Sequence, residues 1–447
     1  MQLEQIGRGR FAIEPAVIAA LIVLPCLFLV PVTHDAIWQV WIGRQLLHGA
    51  HLYTDIVEIN PPLWFWLAVP LAGIGETFAI SAQNLVVGFF VMAIAISLVL
   101  TPARFRLIAL PALTVLPLQD FAQREHFALI TTVPYCLLIA SRLGGERVRA
   151  PWAIGLFAAL GFALKPYFVA VPIALELLAW RQKRVRPETI ALAVVAVTYS
   201  AATFIFMPEY FSDVLPMARR AYGAFVGEFL SPILVVLSLM LAAVGIAIGR
   251  RKGSPASRAL LVAALAFLPA AILQAKGWSY HTLPTRGLLF LAIAVEIFQS
   301  RRNPIGDAFL LGAAMLCLLP FGVYQNSFRA EMETHLKGVA PGNSIIVLAS
   351  NPSAAWPMVE EHHLRWSMSQ FCLWQMAAAT KDPTLKADLR GIVAKDLMRR
   401  PDYIVIDRKP VLGLSAATLL PPGGLQDYVL KTRAGRFESY ERLPSKS

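Results

Sequence analysis

The sequence predicts a polytopic α-helical membrane protein of about eleven spans, with a small α/β domain at its C-terminal end. Three observations lead there. Mean hydropathy is +0.59, 57% of the 447 residues are apolar and only 15% are charged, a balance unlike that of a water-soluble globular chain. Arg and Lys gather in short links between long apolar runs, and after Tyr324 the composition turns abruptly to that of a soluble domain.

Taken in order, the apolar runs place spans near 13–32, 78–100, 107–119, 127–141, 152–164, 166–180, 188–207, 231–249, 258–274, 284–299 and 305–323. The short runs 107–119 and 152–164 read as half-helices that stop within the membrane and line a cavity. The net charge of +12 has the sign of a nucleic-acid binder, but the positions of the charges follow topology instead. Alternate links hold Arg8 and Arg10, Arg104 and Arg106, Arg142 to Arg149, Arg181 to Arg186, Arg250 to Arg258, and Arg301 with Arg302. That is about 17 basic residues against about 7 in the intervening links, the positive-inside pattern. No nucleic-acid partner is expected. Arg8 and Arg10 precede the first run as in a signal peptide, yet no small-x-small site stands at Val30-Pro31-Val32, so it reads as an uncleaved span with the N-terminus cytoplasmic. Thr33–Trp66 then falls outside, in the periplasm of a Gram-negative cell, and an odd span count puts the C-terminal domain on the same side. Cys26, Cys136, Cys317 and Cys372 are scattered, with neither disulfide nor zinc spacing.

Residues 1–324 form the membrane part, with 33–77 its first outer loop, and 325–447 the outer domain. Within that domain Ser344–Ser350 reads as a buried strand after the turn Pro341-Gly342-Asn343, and Lys386–Arg399 has helical periodicity. Tyr403–Asp407 reads as a second buried strand, and Asp427–Leu430 with Phe437–Leu443 as a hairpin around Gly435. No GxGxxG or P-loop joins these elements, so no nucleotide cofactor is indicated, and none of another kind is assigned.

The chemistry emerges when polar residues are sorted by side. The outer links carry His34 and Asp35; Asp55, Glu58 and Asn60; Asp120 with Arg124-Glu125-His126; Lys165-Pro166-Tyr167; Arg219 and Arg220; and Lys276 to Tyr280-His281, followed by Arg286. The inner links carry only loose Arg and Lys. Ionisable groups at span ends are costly unless they face water or one another, so the functional face is expected outside. Lys165, between two short apolar runs, sits at depth and calls for an anionic partner. Asp35 has two readings. It can cap a surface helix in which Trp38, Trp41, Ile42 and Leu46 follow at helical spacing and Gly49 ends the run, or it can act as a base. Trp38, Trp41, Trp64 and Trp66 are expected to anchor the loop at the membrane interface. His34, His48 and His51 read as hydrogen-bonding residues, and no metal is assigned.

An apolar first span, an acidic residue just past it in an amphipathic segment ending Gly49-Ala-His-Leu-Tyr53, and the turn Pro61-Pro62-Leu63-Trp64-Phe65-Trp66 resemble the first outer loop of the GT-C superfamily. These are integral-membrane glycosyltransferases such as protein O-mannosyltransferases and the lipid A aminoarabinose transferase. There the loop usually has an Asp-Glu or Asp-Asp pair and a later Lys-Pro-Pro-Leu. Here His34-Asp35 and Asn60-Pro61-Pro62-Leu63 lack the second acid and the lysine, so the resemblance is to the superfamily and not to either member. It implies an inverting transferase, moving a sugar from a polyprenyl-phosphate-linked donor to a hydroxyl of a cell-envelope glycan, lipid or protein. It implies a bacterial inner-membrane location with a periplasmic active site. Asp35 becomes the candidate base, and Arg124, His126, Lys165, Lys276, His281 and Arg286 candidates for the donor phosphate. Asp55, Glu58, Asn60, Asp120, Glu125 and Tyr280 are candidates for sugar or acceptor. A transporter or flippase for lipid-linked sugars should show polar residues reaching from both faces. A ligase would rely on a large mid-chain outer loop, and Pro208–Leu230 is modest. A non-enzymatic assembly subunit predicts outer charges that do not converge in space.

Overall fold

Apolar runs punctuated by proline, glycine and basic residues become helices, and short proline-led turns join them. The computed structural model describes residues 14–180, 185–222, 230–249, 253–274, 277–299, 303–319, 322 and 324–444. The membrane part runs α1 Pro15–Cys26, α2 His34–Leu47, α3 Leu63–Phe78, α4 Ala82–Leu100, α5 Ala103–Thr114, α6 Arg124–Leu143 and α7 Pro151–Phe162. It continues with α8 Ala170–Leu178, α9 Pro187–Phe206, α10 Leu215–Tyr222, α11 Leu230–Gly249, α12 Pro255–Gln274, α13 Leu283–Gln299 and α14 Pro304–Leu318. Helices α7, α9 and α14 start on a proline, whose missing N–H costs nothing in a first turn.

This is a multi-pass membrane protein. Every expected span coincides with a helix, yet among the described residues only 6 helices are long and apolar enough to cross a bilayer, or 7 if α1 and α2 count as one span bent by 82°. Helices α3, α7, α14 and Pro166–Leu178 are apolar but fall in the 10–17-residue class. At 1.5 Å per residue these fall short of a hydrocarbon core of about 30 Å. The expected eleven therefore resolve into full-length spans and helices too short to cross by themselves. Helix α3 lies where the first outer loop was expected to continue. It packs so closely on α2 that a Cβ on Gly43 would stand 2.6 Å from the Ala68 carbonyl oxygen. Helix α6 is the axis of the bundle, buried along almost its whole length.

Several described cations of the basic links are not loose. Arg106 pairs with Glu14 at 2.8 Å, Arg104 with Glu146 at 2.7 Å, Arg142 with Glu188 at 3.1 Å and Arg186 with Glu176 at 2.5 Å. Arg8, Arg10, Arg181, Arg184, Arg250, Arg251, Arg301 and Arg302 lie outside the described residues, and these pairs gather Arg104, Arg106, Arg142 and Arg186 at one end of the bundle. The links that begin at Thr33, Val57, Gln119, Lys165 and Gly277 converge on one cavity at the other.

The C-terminal sheet has the order β2-β1-β3-β5-β4, with β1 Ser344–Leu348, β2 Arg365–Trp366, β3 Tyr403–Asp407, β4 Tyr428–Ala434 and β5 Phe437–Arg442. Strand β1 pairs in parallel with β2 and β3, while β5 runs antiparallel to β3 and β4. The apolar strands β1 and β3 are wholly buried, and helix Pro383–Leu397 connects toward β3. The domain is docked on α2. The Trp38 ring stacks on Phe371 at 5.1 Å and meets Trp356 edge-on at 5.4 Å, and Arg44 grips Glu360 with bonds of 2.8 and 3.2 Å. The Val57 N–H donates to the Ser369 carbonyl at 2.7 Å. Trp38 and Trp41 are thus buried between α2 and the domain, and Trp64 among Phe89, Phe90 and Phe127. Of the four expected interface anchors only Trp66 keeps partial exposure. Large aromatic faces gain more from close protein packing than from a half-solvated interface.

Candidate active site

A cavity of about 1140 Å³ lies where the first outer loop, the other links of that end and the C-terminal domain meet. Its lining includes Asp35, Glu58, Asn60, Asp120, Arg124, Lys165, Tyr280 and His281. Lys276 lies outside the described residues.

Asp35 is the second residue of α2, and Thr33, not Asp35, occupies the N-cap position. The capping reading is therefore corrected. No helix N–H claims the carboxylate. Instead Gln123 donates from its amide to Asp35 Oδ2 at 3.1 Å and to Thr33 Oγ1 at 2.8 Å. His34 Nε2 stands 3.7 Å from Asp35 Oδ1, and the carboxylate keeps 24% exposure to the cavity. Burial holds the His34 imidazole below its usual 6.5, with Asp35 acting in the opposite sense, so the ring is neutral at pH 7.

Gln123 and Arg124 reach the cavity because Ala122 adopts φ 67°, a left-handed turn between the short helix Leu118–Asp120 and α6. Such a residue costs about 1–2 kcal/mol outside glycine. Arg124 opens α6, is only 9% exposed, and makes no hydrogen bond or ion pair with any described residue. A buried unpaired guanidinium at a helix N-terminus is a strong attractor for an anion. Lys165 approaches from the link after α7, its ammonium 2.5 Å from Glu125 Oε1 and above the rings of Tyr167 and Tyr280. Glu125 supplies the anionic partner that the depth of Lys165 demanded, and does so beneath the lining instead of at a sugar.

Several expected ligands act as supports. Arg286 is buried and bound to Asp120 at 2.9 Å and Thr282 at 3.1 Å, so its charge orients Asp120 and does not reach the cavity. Asp120 also accepts from the Ser279 hydroxyl at 2.5 Å, and burial raises its carboxyl to about 6 against the pull of Arg286 and Ser279. His126 has no exposure; Ala122 N–H donates to Nδ1 at 3.3 Å and Nε2 meets the Leu113 carbonyl at 2.9 Å. It braces the Ala122 turn against α5. Asp55 is exposed and only closes a local turn by accepting from the His51 N–H at 2.8 Å. Glu58 lines the cavity but is committed to the loop, accepting from Trp38 Nε1 at 2.9 Å and from the Asn60 side chain at 2.7 Å.

No protein-family model matches the chain, and no curated protein does. Among solved structures, the single-particle cryo-EM structure of arabinofuranosyltransferase AftD from mycobacteria is similar to this chain over 97% of this chain and 40% of that one. Identity is 14% and the TM-score 0.44. The chain therefore spans about 40% of the length of the structure it matches.

The cavity also has walls that the sequence did not announce. Ser350, Asn351, Pro352, Phe371, Cys372 and Trp374 come from the C-terminal domain, which roofs the site as well as flanking it. Among the described residues no group of three or more His, Cys, Asp or Glu is placed to hold a metal ion. What the arrangement offers is one carboxylate with an oxygen open to the cavity and a buried cation without a partner. A carboxylate able to accept a proton and a cation able to meet an anion thus share one chamber.

Proposed function

We propose that the chain is an inverting glycosyltransferase of the GT-C type. It moves a sugar from a polyprenyl-phosphate-linked donor to an acceptor hydroxyl on a cell-envelope glycan, lipid or protein. The observation that carries this reading is the convergence of Asp35 and unpaired Arg124 on one cavity at the end of the bundle opposite the basic links. The first-loop resemblance supports it independently. By the positive-inside pattern that end is periplasmic in a bacterial inner membrane, with the N-terminus cytoplasmic.

In the reaction the acceptor oxygen attacks the anomeric carbon while Asp35 takes its proton, and the carbon–oxygen bond to the lipid phosphate breaks with its electron pair on the phosphate. Arg124 meets that charge, and Lys165, paired with Glu125, adds to the local field. In this reading Asp120, held by Arg286 and Ser279, and Tyr280 bind sugar hydroxyls, while His281 contributes on the donor-phosphate side. A deletion strain should lose one defined sugar from an envelope glycan, lipid or protein, read by mass spectrometry against its parent. Wild-type protein should restore it and Asp35→Asn, expressed to the same level, should not. Full complementation by Asp35→Asn would remove the base assignment and the reading built on it.

A further inference from the structure

His34 belongs to both parts of the chain. Its Nδ1 lies 3.0 Å from Ser353 Oγ of the C-terminal domain and 3.1 Å from the Tyr324 hydroxyl, and those two hydroxyls lie 3.0 Å from each other. Ser353 is itself fixed, since its N–H donates to Asn351 Oδ1 at 2.9 Å. Phe371 packs on the same ring at 5.6 Å. Among the described residues Asp35 and Tyr324 are the titratable groups that face this imidazole. One hydroxyl proton can run between the two oxygens and the other toward Nδ1, which makes Nδ1 the acceptor. The ring proton is then on Nε2, the nitrogen that faces Asp35 Oδ1 at 3.7 Å.

We propose that His34 is a positioning residue for Asp35, its Nε2–H tautomer set by Ser353 and Tyr324, so that the C-terminal domain reaches the base through this imidazole. This rests on the reading of Asp35 as general base. The two oxygens of the carboxylate are then governed from opposite sides, Oδ2 by Gln123 of the bundle and Oδ1 by an N–H whose orientation the domain controls. A separation of 3.7 Å is long for a hydrogen bond, and contacts of this kind tighten when substrate fills the site. A hydrogen-bond donor beside a carboxylate favours the ionised form, so loss of such a donor is read in the acid limb of a pH profile.

The test is the pH profile of kcat/KM for the full-length purified protein, with the polyprenyl-phosphate sugar fraction of the parent membranes as donor and envelope material of the deletion strain as acceptor. His34→Leu should move the acid limb up by about half to one pH unit and lower kcat about tenfold, with the donor KM within about twofold. Ser353→Ala combined with Tyr324→Phe should shift the limb in the same direction. His34→Gln, which retains an N–H near the place of Nε2, should return the limb to the wild-type position. A wild-type acid limb in both His34→Leu and the double variant overturns the proposal. So does a limb in His34→Gln displaced as far as that of His34→Leu, because that pattern belongs to packing alone. Retained turnover in Asp35→Asn would instead overturn the base assignment, and that variant leaves His34 and both hydroxyls in place.

Discussion

Lys165 holds its ammonium 2.5 Å from Glu125 Oε1 with both side chains buried, whereas Arg124, one residue before Glu125, has no ion pair among the described residues. The single carboxylate of the group is thus committed to the lysine, and the arginine is left to the cavity. Removing one member of a buried pair strands the other charge. Glu125→Leu should therefore destabilise the protein by about 3 kcal/mol, and Glu125→Leu with Lys165→Met by clearly less. Chemical or thermal unfolding in detergent compares the variants. Equal losses would mean that the pair is not coupled.

Arg124 should behave in the opposite way. Its guanidinium makes no hydrogen bond or ion pair with a described residue but lies in the field of Glu125, Asp35 and Glu58, so Arg124→Met should leave stability nearly unchanged while cutting turnover by about a hundredfold or more. Arg124→Lys keeps the charge but loses the planar fork, and should recover part of the activity. Melting temperature and turnover measured on the same preparations separate the two effects. A destabilised Arg124→Met protein would show that the guanidinium has a structural partner.

Gln123 donates to Asp35 from the bundle side, and a hydrogen bond to a charged group contributes about 1.5–3 kcal/mol. Gln123→Ala should lower kcat about tenfold with little change in the donor KM. Gln123→Glu should do more harm, since it sets a second carboxylate against the first and favours a protonated Asp35. Steady-state kinetics at several pH values check this. An acid limb that does not rise in Gln123→Glu would place the two groups out of contact.

Much of this was legible in the chain, and the exceptions share one cause. Strand β3 coincides with the expected Tyr403–Asp407, and the helical positions follow the apolar runs. Arg124-Glu125-His126 reads as a polar link, yet it forms the first buried turn of α6, because Lys165 and the cavity answer charges that a local pattern shows as unanswered. Helix α3 is hidden by Pro70, Gly73 and Gly75 inside its apolar run. Trp38 and Trp41, three apart at helical spacing, read as interface anchors because nothing local names the domain that covers them. The same limit governs the site. Arg124 and Arg286 are both arginines at the start of apolar runs, and only the fold turns one toward the cavity and the other toward Asp120. Periodicity reports what kind of surface a segment presents, while the partner comes from tertiary pairing.

Asp402 ties the roof of the cavity together, and its chemistry predicts an acid response of the C-terminal domain. Its carboxylate accepts from the Ser344 N–H at 2.8 Å and hydroxyl at 2.7 Å and from Arg442 at 2.7 Å, joining the start of β1 to β3 and the end of β5. Burial alone would raise the carboxyl, but the bonds from Ser344 and the charges of Arg442 and Arg365 outweigh it and hold it below 3.8. A carboxyl lowered in the fold binds fewer protons than it does unfolded, so its contribution is complete above the unfolded value and is lost as pH falls through the folded one. Domain stability should therefore drop below about pH 4. Asp402→Asn should cost about 1–2 kcal/mol at pH 7 and flatten that acid limb. Because Ser350, Asn351 and Phe371 line the cavity from this domain, the variant should also weaken donor turnover as the temperature approaches its melting point. Intrinsic tryptophan fluorescence during urea unfolding at pH 7 and pH 3.5 gives the comparison. An Asp402→Asn protein with the wild-type acid response would assign that response to another group.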